Sequence, residues 1–224
     1  MAKYLIHAMP KRMWYVEQYL IPSMLAQGID KKDIHVYNDI KANGNLKAWV
    51  SAAEFCVGDG GTWHLQDDVC IGSRFKELIE KYDDGIVCGF KSEYDGPQMP
   101  GEVPCQQMWF SFPCIRIPNY ITRECAEWVR EGIIGNPVYK SWWDRGVNDD
   151  MLFRRYVWEK YPAMYAINLD PNLVDHIDYL IGGTVNNSAR QKQIRAIYFD
   201  DLPAVEKLEK WLEKRNGKYG CQTN

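Results

Sequence analysis

The sequence has no C-x-x-C pair, no apolar run of membrane-spanning length and no large surplus of charge of either sign, and each lack closes off a class of function. Its seven cysteines, at positions 56, 70, 88, 105, 114, 125 and 221, are odd in number. Without paired spacing they argue against a zinc module or a disulfide framework, and they suit a reducing compartment. The N-terminal apolar run is too short for a signal peptide, so a cytoplasmic protein with no membrane span and no obligate protein partner is expected. A net charge of −3 gives no global basic field of the kind that marks a nucleic-acid binder. A Gly-rich basic phosphate loop is also missing after the first strand-like segment, where Met9-Pro10-Lys11-Arg12 stands instead.

What is present is a chain of 224 residues with 46% hydrophobic content, enough for one large α/β domain with a substantial core. Nine Trp and fourteen Tyr supply rings for that core or for stacking on sugars and bases. Strand-like and helix-like segments alternate from the start. Tyr4 to Ala8 reads as a strand, and a helical pattern follows through Val16, Leu20, Met24 and Leu25, with Pro22 expected to kink or split it. Ile34 to Tyr37 is a second strand, Leu46 to Phe55 a helix, and Trp63 onward the central strand. This β-α-β-α-β order predicts a mostly parallel sheet flanked by helices, with the loops after each strand gathered on one edge. Ligands bind at that edge in open α/β sheets. It would collect Arg12, Asp39 and the Asp67/Asp68 pair, although Arg12 and Asp39 taken singly read as surface charge.

Ser73 to Tyr82 reads as an amphipathic helix and Ile86 to Phe90 as a strand. The stretch from Lys91 to Gln107, with prolines at 97, 100 and 104, is expected to be an irregular loop that closes over a ligand. Met108 to Phe112 and Cys114 to Ile117 are strand-like, and a helix follows Pro118-Asn119.

Three constellations carry chemistry. Gln66-Asp67-Asp68 closes the central strand; two adjacent carboxylates repel, and a fold that places them together usually supplies a cation such as Mg²⁺ or Mn²⁺. Asn148-Asp149-Asp150 precedes the helical run from Met151 to Lys160; one acidic residue suffices for capping, which leaves Asp150 as a candidate general base. Asp175-His176 comes late in the chain, where an imidazole can complete a metal site begun by carboxylates. A solvated turn and a structural histidine are the plainer readings of the first and third.

Together these residues resemble the GT-A fold of nucleotide-sugar glycosyltransferases, over about residues 4 to 180. In that family an Asp-x-Asp type motif closing a central strand holds Mn²⁺ or Mg²⁺ against the donor diphosphate. A Glu-Asp pair at a later helix start supplies the acceptor's base, and a C-terminal His often adds a metal ligand. The resemblance therefore implies a Rossmann-like GT-A fold and a donor such as a UDP-sugar, with Asp68 and His176 on the metal and Asp67 as a ribose or outer partner. It implies Asp150 with Asp149 as the catalytic pair in an inverting displacement, and Arg12, Asp39, Asn45 and Lys47 around the donor, with Trp49 beside them. Here the motif runs Gln-Asp-Asp, and Asp149 stands for the family's Glu. Residues 1–90 become the donor half, 91–185 the acceptor half and 186–224 a basic helical tail. The short chain is also similar in style to glycosyltransferase-like proteins of bacteriophages, whose acceptors include glycans and modified DNA bases.

A nucleotidyltransferase is the nearest enzymatic rival, and a non-catalytic sugar- or nucleic-acid-binding protein the other. The nucleic-acid reading rests on Arg190, Lys192, Arg195, Lys207, Lys210, Lys214, Arg215 and Lys218. Glu206 with Lys210 and similar i,i+4 pairs make that tail an ordinary solvated helix face.

Overall fold

The computed structural model describes residues 3–41, 43–92, 100–182 and 199–219. Its strands are β1 Tyr4–Ala8, β2 Ile34–Asn38, β3 Gly61–Gln66, β4 Val69–Ile71, β5 Ile86–Cys88, β6 Gly101–Pro104, β7 Cys114–Pro118, β8 Tyr165–Asn168 and β9 Val174–His176. Seven of them form a sheet in the order β2-β1-β3-β7-β5-β8-β6, while β4 and β9 pair as a separate antiparallel ribbon. β2, β1, β3, β5 and β8 run one way, β7 and β6 the other. The mostly parallel α/β sheet is compatible with a Rossmann-like arrangement.

Period-2 alternation splits the strands between two cores. Tyr4, Ile6 and Ala8 of β1 and Trp63 and Leu65 of β3 face one core. Helical residues on that side are Tyr15, Val16, Leu20 and Met24, then Phe75 and Ile79 of α4 (Phe75–Ile79), then Leu208. Ile86, Cys88, Ile115 and Ile117 face the other core, under α3 (Asn45–Ala52), α5 (Asn119–Gly132) and α7 (Asp149–Lys160). In α5 the buried Ile121, Cys125 and Val129 recur every fourth residue, which places one stripe on the sheet.

Several expectations change. Pro22 does not break the first helical segment. The segment runs α1 Met13–Tyr15, a π-helical Val16–Leu20, then α2 Ile21–Ala26. Ile21 N–H donates to the Val16 carbonyl, so one widened turn absorbs the proline upstream. The expected helix over 73–82 is shortened to α4. The loop expected over 91–107 contains β6, an edge strand paired with β8, where the Pro104 nitrogen leaves no central ladder bond unmade; residues 93–99 lie outside the described residues. Met108 to Phe112 joins no sheet and ends in a turn at Phe112. It leads into β7 without a crossover helix, so β7 is free to enter antiparallel.

Trp142 and Trp143 sit in a helix, α6 Pro137–Arg145. Asn136 caps that helix by accepting from Val138 and Tyr139 N–H at 2.9 and 3.2 Å, Pro137 suits its first position, and left-handed Gly146 ends it. After the short α8 (Asp178–Ile181), α9 (Leu202–Tyr219) packs on the first core rather than trailing from it. Trp211 stacks on Trp14 at 6.2 Å, and Arg215 lies 3.9 Å from the Trp14 ring. Arg190, Lys192 and Arg195 lie outside the described residues. Among the described residues no helix is long and apolar enough to cross a membrane.

Candidate active site

The parallel strands β1, β2 and β3 end together, and a cleft of about 340 Å³ opens where they do. Its wall carries Arg12 after β1, Asp39 after β2, and Gln66, Asp67 and Asp68 after β3. Asn45, Ala48 and Trp49 of α3 line one side, Asp149 and Asp150 of α7 another, and His176 and Asp178 a third. Of the residues singled out in the sequence, Arg12, Asp39, Asn45, Asp67, Asp68, Asp149, Asp150 and His176 all reach this cleft. Lys47 does not line it; its ammonium lies 5.7 Å from the Trp143 ring centroid.

Two glycines bring the α3 and α7 sides together. A methyl at Gly44 (φ 89°) would fall 2.5 Å from the Gly146 carbonyl oxygen, and one at Gly146 (φ 66°) would collide with the Asn43 carbonyl. Leu46 N–H then donates to the Gly146 carbonyl at 3.3 Å. Asp39 fixes the same loop, accepting from Asn43 Nδ2 at 3.1 Å and Gly44 N–H at 3.2 Å. Both its oxygens therefore serve the loop that forms the cleft wall.

At the strand ends Arg12 is the hub. Its guanidinium donates to Asp67 at 2.8 Å, and to Asp68 and to Asp178, with all four side chains buried. Asp67 also accepts from Met9 N–H at 2.6 Å, so both its oxygens are engaged. Asp68 faces His176 Nε2 at 3.3 Å. Among the described residues Asp68 Oδ1 and His176 Nδ1 are buried without a hydrogen-bond partner. Burial alone would raise Asp68, but His176 and Arg12 outweigh it and hold this carboxyl below the usual carboxylate range. Burial and the Asp68 charge push Asp67 the other way in spite of Arg12. Burial would lower His176; the Asp68 carboxylate prevails and raises it.

The helix-start side differs. Asn148 occupies the N-cap position of α7 in a left-handed conformation (φ 63°), and its side chain makes no capping hydrogen bond. Asp150 Oδ1 accepts from Met151 N–H at 2.7 Å, and Asp149 is buried. Burial, with the Asp150 charge beside it, pushes Asp149 up to about 7.

Sequence reasoning missed three contributors. His7 Nε2 and His64 Nδ1 are 3.0 Å apart on the cleft floor, and burial lowers both imidazoles, His7 to about 4. Their signal was an imidazole inside the apolar run of each strand, Leu5-Ile6-His7-Ala8 and Trp63-His64-Leu65. Asp178 was visible next to His176, but nothing local ties it to Arg12, 166 residues away.

Among the described residues no three His, Cys, Asp or Glu side chains are grouped to hold a metal ion by themselves. The unpartnered Asp68 oxygen and His176 nitrogen are nonetheless oxygen and imidazole donors of the kind Mn²⁺ and Mg²⁺ accept. Such ions commonly take one or two protein ligands and complete their shell with substrate phosphates and water. The sequence matches no protein-family model and no curated protein.

Proposed function

We propose that the protein is a metal-dependent glycosyltransferase of the GT-A type that moves a sugar from a nucleoside-diphosphate sugar to an acceptor hydroxyl. The observation that carries this reading is the meeting of the Asp67/Asp68 strand end, the Asp149/Asp150 helix start and His176 in one cleft at the C-terminal edge of parallel strands. Two carboxylate pairs held apart on rigid elements suit two tasks, binding a cationic centre and moving a proton.

Asp68 and His176 would hold the divalent ion. When bound, the ion offsets the charge that develops on the departing diphosphate. Arg12, bonded to Asp67, Asp68 and Asp178, is the one Lys or Arg among the described residues lining the cleft and would turn part of its hydrogen bonding to a phosphate oxygen. The acceptor oxygen bonds to the anomeric carbon as the bond from that carbon to the diphosphate oxygen breaks, and Asp150 takes the hydroxyl proton. Asp39 and Asn45 lie where the donor's nucleoside would rest, with the Trp49 ring beside them.

The test is calorimetry of nucleoside diphosphates with and without Mn²⁺, on the native chain and on Asp68→Asn. Binding should require the metal and weaken at least about tenfold in the variant, the worth of one lost charged contact. Equal affinity in chelator and in Mn²⁺ would overturn the reading.

A further inference from the structure

Arg154 lies one turn beyond Asp150 on α7, at the i,i+4 spacing that puts two side chains on the same helix face. Its guanidinium carbon sits 3.7 Å from the ring centroid of Trp109 and 4.0 Å from that of Trp158, so the group is clamped between two indoles. Its neighbour Arg155 behaves as a surface arginine should, pairing in solvent with Glu159 one turn further on. Arg154 is different: its Nε is buried without a hydrogen-bond partner among the described residues, and the acid whose charge it senses is Asp150.

Clamping a guanidinium in this way holds its plane fixed and leaves its edge donors as the part able to meet a ligand. An aliphatic side chain would fill the slot between two indoles at no desolvation cost, so packing alone does not call for an arginine there. Trp109 remains 42% exposed; Arg154, Trp109 and Trp158 do not themselves line the cleft, but Asp150, one turn before Arg154, and Ser111, two residues after Trp109, both do. The cleft itself holds Asp67, Asp68, Asp149, Asp150 and Asp178, a field that repels anions unless a cation is fixed beside their path.

We infer that Arg154, held by Trp109 and Trp158, binds a phosphate group carried by the acceptor close to the hydroxyl that Asp150 deprotonates. This rests on the transferase reading for the hydroxyl, but not for the anion. One clamped guanidinium matches one phosphate, through two parallel N–H donors. A nucleic-acid strand is gripped by a row of cations, so the acceptor inferred is a small phosphorylated compound.

The clamp supplies its own readout, because two indoles report on whatever meets the guanidinium. Tryptophan fluorescence of the full chain is titrated with inorganic phosphate, glucose 6-phosphate, glucose and a short single-stranded oligonucleotide at constant ionic strength. Phosphate and glucose 6-phosphate should give saturable changes that glucose does not. Arg154→Gln should weaken them about ten- to hundredfold, and Arg154→Lys, which keeps the charge and loses the fork, by less. Nucleoside diphosphate binding, followed by calorimetry, should be unchanged in both variants, which also shows that they fold. If either fails to fold, the comparison of glucose 6-phosphate with glucose on the native chain decides. Equal responses to those two, or phosphate binding that survives Arg154→Gln, would overturn the assignment. An oligonucleotide bound more tightly than glucose 6-phosphate through Arg154 would overturn the small-acceptor part. Loss of nucleotide binding with an intact phosphate response would remove the transferase reading and leave the anion site standing.

Discussion

Two carboxylate pairs line one cleft, and their partners differ. Asp67 and Asp68 have cations in contact: Arg12 bonds both, His176 lies beside Asp68, and Asp178 shares the same guanidinium. Asp149 and Asp150 have their own helix start, with Met151 N–H donating to Asp150, and Arg154 one turn along is clamped between indoles. The first pair keeps Asp68 ionised; in the second, Asp149 is pushed toward neutrality. Like charges set side by side in a buried place need either a counter-ion or a proton: the first wall has Arg12 and His176 at Asp68 with Asp67 pushed up beside it, and the second pushes Asp149 up next to Asp150.

The largest effect should come from breaking the first pair. Arg12→Ala leaves three buried carboxylates without their shared guanidinium. Removing one partner of a buried ion pair costs about 3–5 kcal/mol. For a chain of this size that is a fall of about 6–20 °C in melting temperature. Mn²⁺ should then raise the melting temperature of the variant by more than it raises that of the native chain, because the carboxylates have lost their internal cation. Scanning calorimetry with and without metal decides it: a variant that melts like the native protein would show that Arg12 is not what neutralises the cluster.

Breaking the second pair should spare the fold and strike turnover. Asp150→Asn keeps the shape but removes the proton acceptor, so donor binding should persist while transfer falls by a factor of roughly 10² to 10⁴. Donor hydrolysis serves as the assay while the acceptor is sought. Full activity in Asp150→Asn would leave the metal-side wall as the surviving part of the mechanism.

How far these walls were legible in the sequence follows from how local their causes are. Arg12, Asp39 and Asp67/Asp68 could be placed on one edge because strand ends in an alternating α/β chain share an edge whatever the intervening loops do. Lys47 was misplaced by neglect of helix geometry. Asn45, Ala48 and Trp49 line the cleft at i, i+3 and i+4, and a residue two after Asn45 must face away, which is how Lys47 comes to lie near Trp143. The antiparallel entry of β7, the Arg12–Asp178 pair and the Gly44–Gly146 approach depend on contacts between distant segments, and no local pattern encodes them. The His7–His64 pair needed only the register Leu5↔His64 and His7↔Gln66 of two parallel strands, which is fixed by packing and invisible in either strand alone.

A subtler test of the walls is pH, because Asp68 and Asp149 should respond to it with opposite sign, while Asp67 is raised like Asp149. Asp68 is held low in the folded state, so its contribution to stability is present above its ordinary range and is lost as pH falls through the folded value. Asp149 is raised, from an ordinary 3.8 to about 7. The folded state therefore binds its proton more tightly than the unfolded chain does. That contribution is complete below the unfolded value and is lost as pH climbs from about 4 to about 7. Asn cannot ionise, so Asp149→Asn removes this loss. Its melting temperature should match that of the native chain near pH 4 and exceed it at pH 8. The Asp150 charge is part of the cause, so Asp150→Asn should move the native transition to lower pH even though it leaves Asp149 in place. Melting curves of the three proteins taken at half-unit steps between pH 4 and 8 give the answer. Native and Asp149→Asn curves that run parallel throughout would mean that Asp149 is ionised at neutral pH, and that the two walls of the cleft differ in their partners but not in their protons.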